Sequence, residues 1–302
     1  MSPTSKSTRT TIGGRELSVS NLDKVFYPQG GFTKGQLIDY YVRIAEVMLP
    51  HLRERPLTMR RFPNGVEGKS FFEKHIPSHA PKWVPSVAVP AADGHEEIVY
   101  AMANDVATLA WAANLGNIEF HVPLWHAGRR RKLPANPDYM VFDLDPGEGT
   151  SIVECCVVAG YITQVLEKDG VEAFAKTSGS KGLQLYASAG PKSSWDGVRD
   201  RAFDIAQQLE SEHRDLVVSN MRKTLRKGRV LIDWSQNHPA KTTVAVYSVR
   251  ARTRPTVSTP VTAEEVRRCA KQKKAELLVF ETADVLRRVE KHGDLFAPLA
   301  LA

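Results

Sequence analysis

Three carboxylates in this chain sit where they could do chemistry. Residues 139–147 read Tyr139, Met140, Val141, Phe142, Asp143, Leu144, Asp145, Pro146, Gly147. Side chains two apart on a strand share a face, so Asp143 and Asp145 stand side by side while Leu144 turns to the opposite core. Adjacent carboxylates repel each other, and a divalent cation between them relieves that repulsion. Pro146 and Gly147 end the strand and leave the pair at its carboxyl edge. The bland alternative is a solvated strand end. Asp233 argues against it: it follows Val230, Leu231 and Ile232 and precedes Trp234. A carboxylate in so apolar a strand needs a basic partner or a shared ion. Three such carboxylates on two strands point to two-metal phosphoryl or nucleotidyl transfer, one ion activating a hydroxyl and the other bracing the leaving phosphates.

A second set of residues suits phosphate. Lys176, Thr177, Ser178, Gly179, Ser180, Lys181, Gly182 and Leu183 lie between two expected strands. Two glycines permit close backbone approach, and two hydroxyls with Lys181 supply donors. The spacing is not that of a P-loop, and a plain hairpin turn fits equally well. His121 shares a strand face with Glu119, opposite Ile118, Phe120 and Val122, and is either paired with that acid or a donor lining a cleft. Arg250, at the end of an expected strand, has the reach and the fork to bind phosphate.

The wider composition favours a polyanionic partner. Lys and Arg number 41 against 34 Asp and Glu, a formal charge of +7. The excess is clustered at Arg129 to Lys132, at Arg222, Lys223, Arg226, Lys227 and Arg229, and at Arg250, Arg252 and Arg254. Each run alone is an ordinary solvated loop; three together point to nucleic acid. The basic residues do not follow one amphipathic helix and no apolar run spans a bilayer, so a membrane partner is not expected. No secretory signal is visible and the odd cysteine count, Cys155, Cys156 and Cys269, suits reduced thiols, so a cytoplasmic protein is expected.

The elements that must position these residues are legible in part. Strands are expected at 97–102, 118–123, 139–145, 171–176, 183–188, 229–234 and 243–249. Capping boxes open helices at Thr33 with Gln36, Ser151 with Glu154, and Thr262 with Glu265. The first carries the stripe Leu37, Tyr41, Ile44, Met48 up to Pro50, the second ends at Gly170, and another helix is expected over 195–212. Mixed strands and helices without strict alternation predict an α/β or α+β fold with mixed sheets flanked by helices. With 302 residues and 42% hydrophobic content, the chain is long enough and apolar enough for a large core.

Taken together, VFDLDPGEG at 141–149, KTSGSKGL at 176–183, VLIDWSQN at 230–237 and KTTVAVYSVRAR at 241–252 resemble the primase-polymerase domain of bacterial ligase D, in the archaeo-eukaryotic primase superfamily. NLDKVFYP at 21–28, RRFPNGVEGKSFFEKH at 60–75 and FHVPLW at 120–125 extend the resemblance over most of the chain, in order. It implies a primase-like catalytic core over 11–302; the polar start of the chain is expected as a flexible arm at 1–10, and the element pattern as lobes of about 11–125 and 126–302. It implies that Asp143, Asp145 and Asp233 hold two catalytic Mn2+ or Mg2+ ions. His121, Ser178, Gly179, Lys181, Gly182, Gln184 and Arg250 would contact the incoming nucleotide, with Gln236 and Arg60 or Arg61 nearby. Lys24 and Lys34 would grip a 5′-phosphate, and Phe71 and Phe72 would stack on template bases from a backbone that is not a regular strand. Arg222, Lys223, Arg226 and Lys227 would belong to a DNA-contacting loop, with Arg226 nearest the chemistry. One departure is Gln184, where many members carry histidine; an amide cannot be protonated near neutral pH, which weakens any charge-assisted phosphate contact.

The implied activity is template-dependent addition of nucleotides, ribonucleotides preferred, at breaks or short gaps during non-homologous end joining or gap repair in the bacterial nucleoid. The implied partners are gapped or broken duplex DNA with a 5′-phosphate, NTP or dNTP, Ku and a DNA ligase. Two other classes compete. A metal-dependent phosphoesterase would carry histidine among its acids. A non-catalytic end-binding module for a ligase would gain nothing from carboxylates that face phosphates.

Overall fold

The strand Tyr139–Pro146 is the spine of a six-stranded sheet. The sheet runs in the order Val217–Val218, Val230–Asp233, Tyr139–Pro146, Leu183–Ser188, Ala173–Thr177, Pro260–Val261. All neighbours are antiparallel except the first pair, so the sheet is mixed. The structure, a computed structural model, describes residues 7–91, 96–127 and 134–300. Arg129, Arg130, Arg131 and Lys132 fall outside the described residues.

One face of this sheet is covered by helices. Ile152–Lys168 starts at Ser151, whose capping box with Glu154 forms in full, and Trp195–Glu212 starts at Ser194. Phe142 and Leu144 from the spine, with Val158, Ile162, Ile205 and Ile232, form a core closed to solvent. Because Leu144 faces this core, Asp143 and Asp145 must face the other way. The three cysteines are free and buried here.

A four-stranded antiparallel sheet lies on the cleft side, in the order Thr243–Val244, Asn117–Val122, Thr58–Arg61, Phe71–Glu73. Ile118 and Phe120 enter a second core with Tyr27, Leu37, Tyr40, Tyr41 and Met48. Thr33 caps the helix Lys34–Arg43 with both capping-box bonds, and the stripe continues through a second short helix to Met48. The helix Ala263–Gln272 forms behind Thr262 as the sequence predicts. Helices flanking mixed sheets are the expected α+β class.

Several elements differ from expectation. The strand expected over 243–249 is ordered as a strand only at Thr243–Val244, because Tyr247 takes a positive φ of 65° and the chain turns, Ser248 N–H donating to Ala245 C=O. Residues 7–10, expected in a flexible arm, belong to a hairpin of Ser7–Ile12 with Arg15–Ser20. Its Gly13–Gly14 turn has φ of 56° and 75°, the left-handed values a tight hairpin demands. The helix Val106–Asn114 escapes a sequence reading because Ala107 to Ala113 are buried on every side, which erases the polar face. Among the described residues, no helix is long and apolar enough to cross a membrane.

Candidate active site

Strand pairing assembles the acidic centre. Asp143 pairs with Gln184 on one neighbour and with Asp233 on the other. Directly paired residues point to the same face, and Asp145 follows by the two-residue repeat. Burial raises the Asp143 carboxyl to about 7, helped by the charges of Asp145 and Asp233, while the Gln184 amide and the Lys176 charge oppose it. Asp145 is raised by its own desolvation and by Asp233, with Arg226 opposing. Asp233 is occupied: Oδ1 accepts from the Ser235 N–H at 2.9 Å and hydroxyl at 2.6 Å, and Oδ2 from Gln236 Nε2 at 3.3 Å. Gln236 therefore touches an acid of the site.

A cleft of about 490 Å³ opens over Asp143 and Asp145. Its lining also includes Ser178, Lys181, Gly182, Gln184, His121 and Arg250, with Arg226, whose charge acts on Asp145. The loop 178–182 joins two adjacent antiparallel strands, so it is both a hairpin connection and part of the cleft wall. Ser178 Oγ accepts from the N–H groups of Ser180 and Gly182, which tightens the turn. Gly179 has φ +64°, and a Cβ there would press on the Arg250 side chain and the backbone at Val257. Gly179 lines a separate 330 Å³ hollow behind the loop, which shares Ser180, Lys181 and Gly182 with the cleft.

The basic loop is seated by contact with the acidic strand. A Cβ on Gly147 would overlap the Arg226 carbonyl oxygen, so only glycine lets the two backbones pass. Arg226 Nη2 donates to Met221 C=O, and its buried Nε has no hydrogen-bond partner among the described residues. Arg222, Lys223 and Lys227 are exposed, Lys227 lying 3.8 Å from Glu148.

The remaining candidates lie outside this cleft. Lys24 Nζ donates to Pro63 C=O and Asn64 Oδ1, both at 2.7 Å. Lys34 is 5% exposed and donates to Ser20 C=O at 2.6 Å; burial and the nearby Lys24 charge lower its ammonium to about 8. Phe71 and Phe72 are 45% and 57% exposed. Their backbone is a regular strand paired with Thr58–Arg61, contrary to the expected irregular segment. Both rings still avoid the core, because the strand is a sheet edge and each lies against a cation: Arg61 against Phe71 at 5.2 Å, Arg60 against Phe72 at 5.4 Å. The Phe72 ring also meets His121 edge-on at 5.6 Å, next to the cleft.

Two buried groups belong to the site although sequence reasoning does not single them out. Lys176 is 1% exposed and donates to Gln184 Oε1, Val244 C=O and Ser258 Oγ; desolvation lowers its ammonium to about 7, against the pull of Asp143. Glu119 is 1% exposed and accepts from Arg60, His121, Arg250 and the Ala251 N–H. Burial pushes its carboxyl upward, but His121, Arg250 and Ala251 together hold it well below the carboxylate range. Burial lowers His121 in turn, partly offset by Glu119. In the sequence Glu119 stands out only as a neighbour of His121, and Lys176 resembles any loop-flanking lysine.

This cleft joins acids, a phosphate-type loop and a basic loop. The model of the LigD primase-polymerase domain matches residues 33–296. The chain belongs to that family. The multifunctional non-homologous end joining protein LigD of Mycolicibacterium smegmatis is 41% identical over 281 residues, which is 93% of this chain and 36% of that protein. The bifunctional LigD of Bacillus subtilis is 30% identical over 280 residues, 92% of this chain and 43% of that protein. The chain thus spans less than half the length of these curated relatives. A solved structure, the polymerase domain from Mycobacterium tuberculosis ligase D in complex with DNA, matches with a TM-score of 0.87 at 39% identity, covering 94% of this chain and 98% of that one. The primase-polymerase fold of the LigD family is therefore the fold of this chain.

For a divalent metal, the donor set fits in kind. Asp143, Asp145 and Asp233 offer hard carboxylate oxygens on one face, and the upward push on Asp143 comes first from burial and then from the charges of Asp145 and Asp233, both of which a bound cation would offset. Among the described residues, no three His, Cys, Asp or Glu side chains are already gathered as a metal cluster.

Proposed function

We propose that this LigD-family primase-polymerase domain adds nucleotides to a DNA primer, template-directed, at breaks or short gaps in non-homologous end joining or gap repair. The observation that carries this reading is the shared cleft: Asp143 and Asp145 line the same space as Ser178, Lys181, Arg226 and Arg250. Acids for a metal and donors for a triphosphate face one space, as nucleotidyl transfer requires.

In this reading Asp143, Asp145 and Asp233 hold two divalent ions, manganese or magnesium. Such ions supply activation of the primer hydroxyl and neutralisation of the leaving pyrophosphate. Ser178, Lys181 and the backbone at Gly179 and Gly182 bind the triphosphate, and Arg250 orients it as a fork. Arg226, whose buried Nε has no partner among the described residues, donates to a phosphate oxygen above Asp145. His121 donates Nε2–H to ionised Glu119, which leaves Nδ1 as an acceptor for a sugar hydroxyl. Phe71 and Phe72 stack on unpaired template bases, and Lys24 and Lys34 hold the 5′-phosphate across the gap. Ribonucleotides are the preferred substrate, and Ku with a DNA ligase are the partners, at the chromosome in the cytoplasm.

Primer extension on a gapped duplex with a 5′-phosphate, supplied with NTP or dNTP and with Mn2+ or Mg2+, tests the proposal. Templated extension is expected, faster with NTP and Mn2+. Binding without extension under every combination would leave an end-binding module; removal of phosphate from the ends without extension would leave a phosphoesterase.

A further inference from the structure

Glu119 is saturated. A carboxylate has about four acceptor positions, and here Oε1 accepts Arg250 Nε at 3.2 Å and the Ala251 N–H at 3.0 Å, while Oε2 accepts Arg60 Nη1 at 3.2 Å and His121 Nε2 at 3.0 Å. These donors come from three separate stretches of chain: the strand Thr58–Arg61, the strand Asn117–Val122 and the segment after Thr243–Val244. Each leads to a different part of the site. Arg250 Nη1 donates to the Ser178 carbonyl, so it braces the phosphate-type loop. Arg60 lies between Phe62 and Phe72, 5.1 Å and 5.4 Å from their ring centres. His121 touches the same Phe72 ring.

One buried charge thus ties the loop at Ser178 to the exposed ring of Phe72. We propose that Glu119 is a positioning residue that fixes the distance and orientation between the template-stacking edge at Phe72 and the nucleotide pocket at Ser178 and Arg250. Correct pairing needs a template base and an incoming nucleotide held in one register, and geometry set by a fully bonded buried group holds that register tightly. The inference rests on the polymerase reading. It adds that mismatch rejection depends on a residue that touches neither base nor phosphate.

The test compares wild type, Glu119→Gln, Phe72→Ala and the double variant on a gapped duplex with 2-aminopurine at the templating position. The amide introduced by Glu119→Gln turns an NH2 group toward the cationic and N–H donors that the carboxylate accepts from, so the clamp opens while volume is kept. In folded Glu119→Gln, KM for the matched nucleotide is expected to rise about tenfold with kcat within about threefold, and matched-over-mismatched preference to fall about tenfold. The 2-aminopurine quenching should weaken although Phe72 is intact. The double variant should discriminate no worse than the poorer single one. Unchanged KM, discrimination and quenching, or multiplicative losses in the double variant, would overturn the proposal. If Glu119→Gln does not fold, Glu119→Asp keeps the charge and shortens its reach; the same KM and quenching changes are expected, and wild-type values would overturn it. A wild-type protein that binds gapped DNA but adds no nucleotide refutes the polymerase reading itself, and this inference with it.

Discussion

Asp143 and Asp233 are cross-strand partners, directly opposed in the antiparallel pairing of Tyr139–Pro146 with Val230–Asp233. Asp145 adds a third negative charge beside them, against which stand the Gln184 amide and the Lys176 charge at Asp143 and the Ser235 and Gln236 donors at Asp233. Like charges this close destabilise the fold unless something positive is bound, so the arrangement is a stability cost retained at one place in the chain. Such a cost is intelligible at a functional site.

Loss of any of these acids should separate chemistry from binding. Asp143→Asn and Asp145→Asn are each expected to lower nucleotide addition by roughly a thousandfold or more. Affinity for gapped DNA, read by fluorescence anisotropy, should change less than about threefold, because the proposed phosphate contacts come from other residues. Persistent extension in both variants would remove the acids from the mechanism.

The raised Asp143 carboxyl makes a stability prediction with a definite sign. Its folded value of about 7 exceeds the ordinary 3.8, so the metal-free folded state holds a proton that the unfolded chain releases. Its contribution is full below about pH 4 and is lost as pH rises through 7. Asp145 shifts in the same direction. Metal-free Asp143→Asn should therefore melt at about the wild-type temperature near pH 4 and a few degrees above it at pH 8. Adding Mn2+ at pH 8 should raise the wild-type midpoint more than that of the variant. A variant that melts lower than wild type at pH 8 without metal would contradict the electrostatic account.

Which parts of this centre the sequence discloses follows from the range of each signal. Asp143 and Asp145 are two apart, and strand alternation places them on one face without further information. Their pairing with Asp233 is a matter of register between distant segments, and local pattern carries no register. The same limit hides Glu119: the two-residue repeat puts it beside His121, but Arg60 and Arg250 reach it only after three segments assemble. Capping boxes at Thr33, Ser151 and Thr262 are readable because both partners lie within four residues. The β-rich composition of 243–249 misleads because the turn at Tyr247 is held by tertiary bonds, its N–H donating to Ser258 C=O and Tyr40 donating to its own carbonyl. The exposed pair Phe71 and Phe72 shows the converse case, since edge position, not irregular backbone, keeps both rings out of the core.

The two lysines near the amino end should behave differently on substitution. Lys24 bonds only Pro63 C=O and Asn64 Oδ1 among the described residues, so Lys24→Gln is expected to leave the fold intact. It should reduce the preference for a 5′-phosphorylated gap over a 5′-hydroxyl one, and flatten the salt dependence of binding by about one unit of log-log slope. Lys34 is buried against Ser20 C=O, so Lys34→Gln should also lower the melting temperature. Equal affinity of the unmutated protein for both kinds of end would reject the phosphate role of both residues.

The exposed rings give the last test. A phenylalanine half in water gains little from its surroundings, so Phe71→Ala with Phe72→Ala should leave the melting temperature within a few degrees of wild type. If the rings carry template bases, the double variant loses stacking worth about 1 to 3 kcal/mol per base, and gapped DNA binds roughly tenfold or more weakly. The loss should be greatest for gaps with unpaired template and small for fully paired duplex, because only an unpaired base offers its face. Arg60 and Arg61 lie against these rings, so part of the loss reflects two cations freed to reorient. Restoring the aromatic face with Phe72→Trp should then recover more affinity than Phe72→Leu, which keeps apolar area but has no π-face. Equal recovery by leucine and tryptophan would make the surface merely apolar, and normal binding by the double alanine variant would remove it from the DNA path.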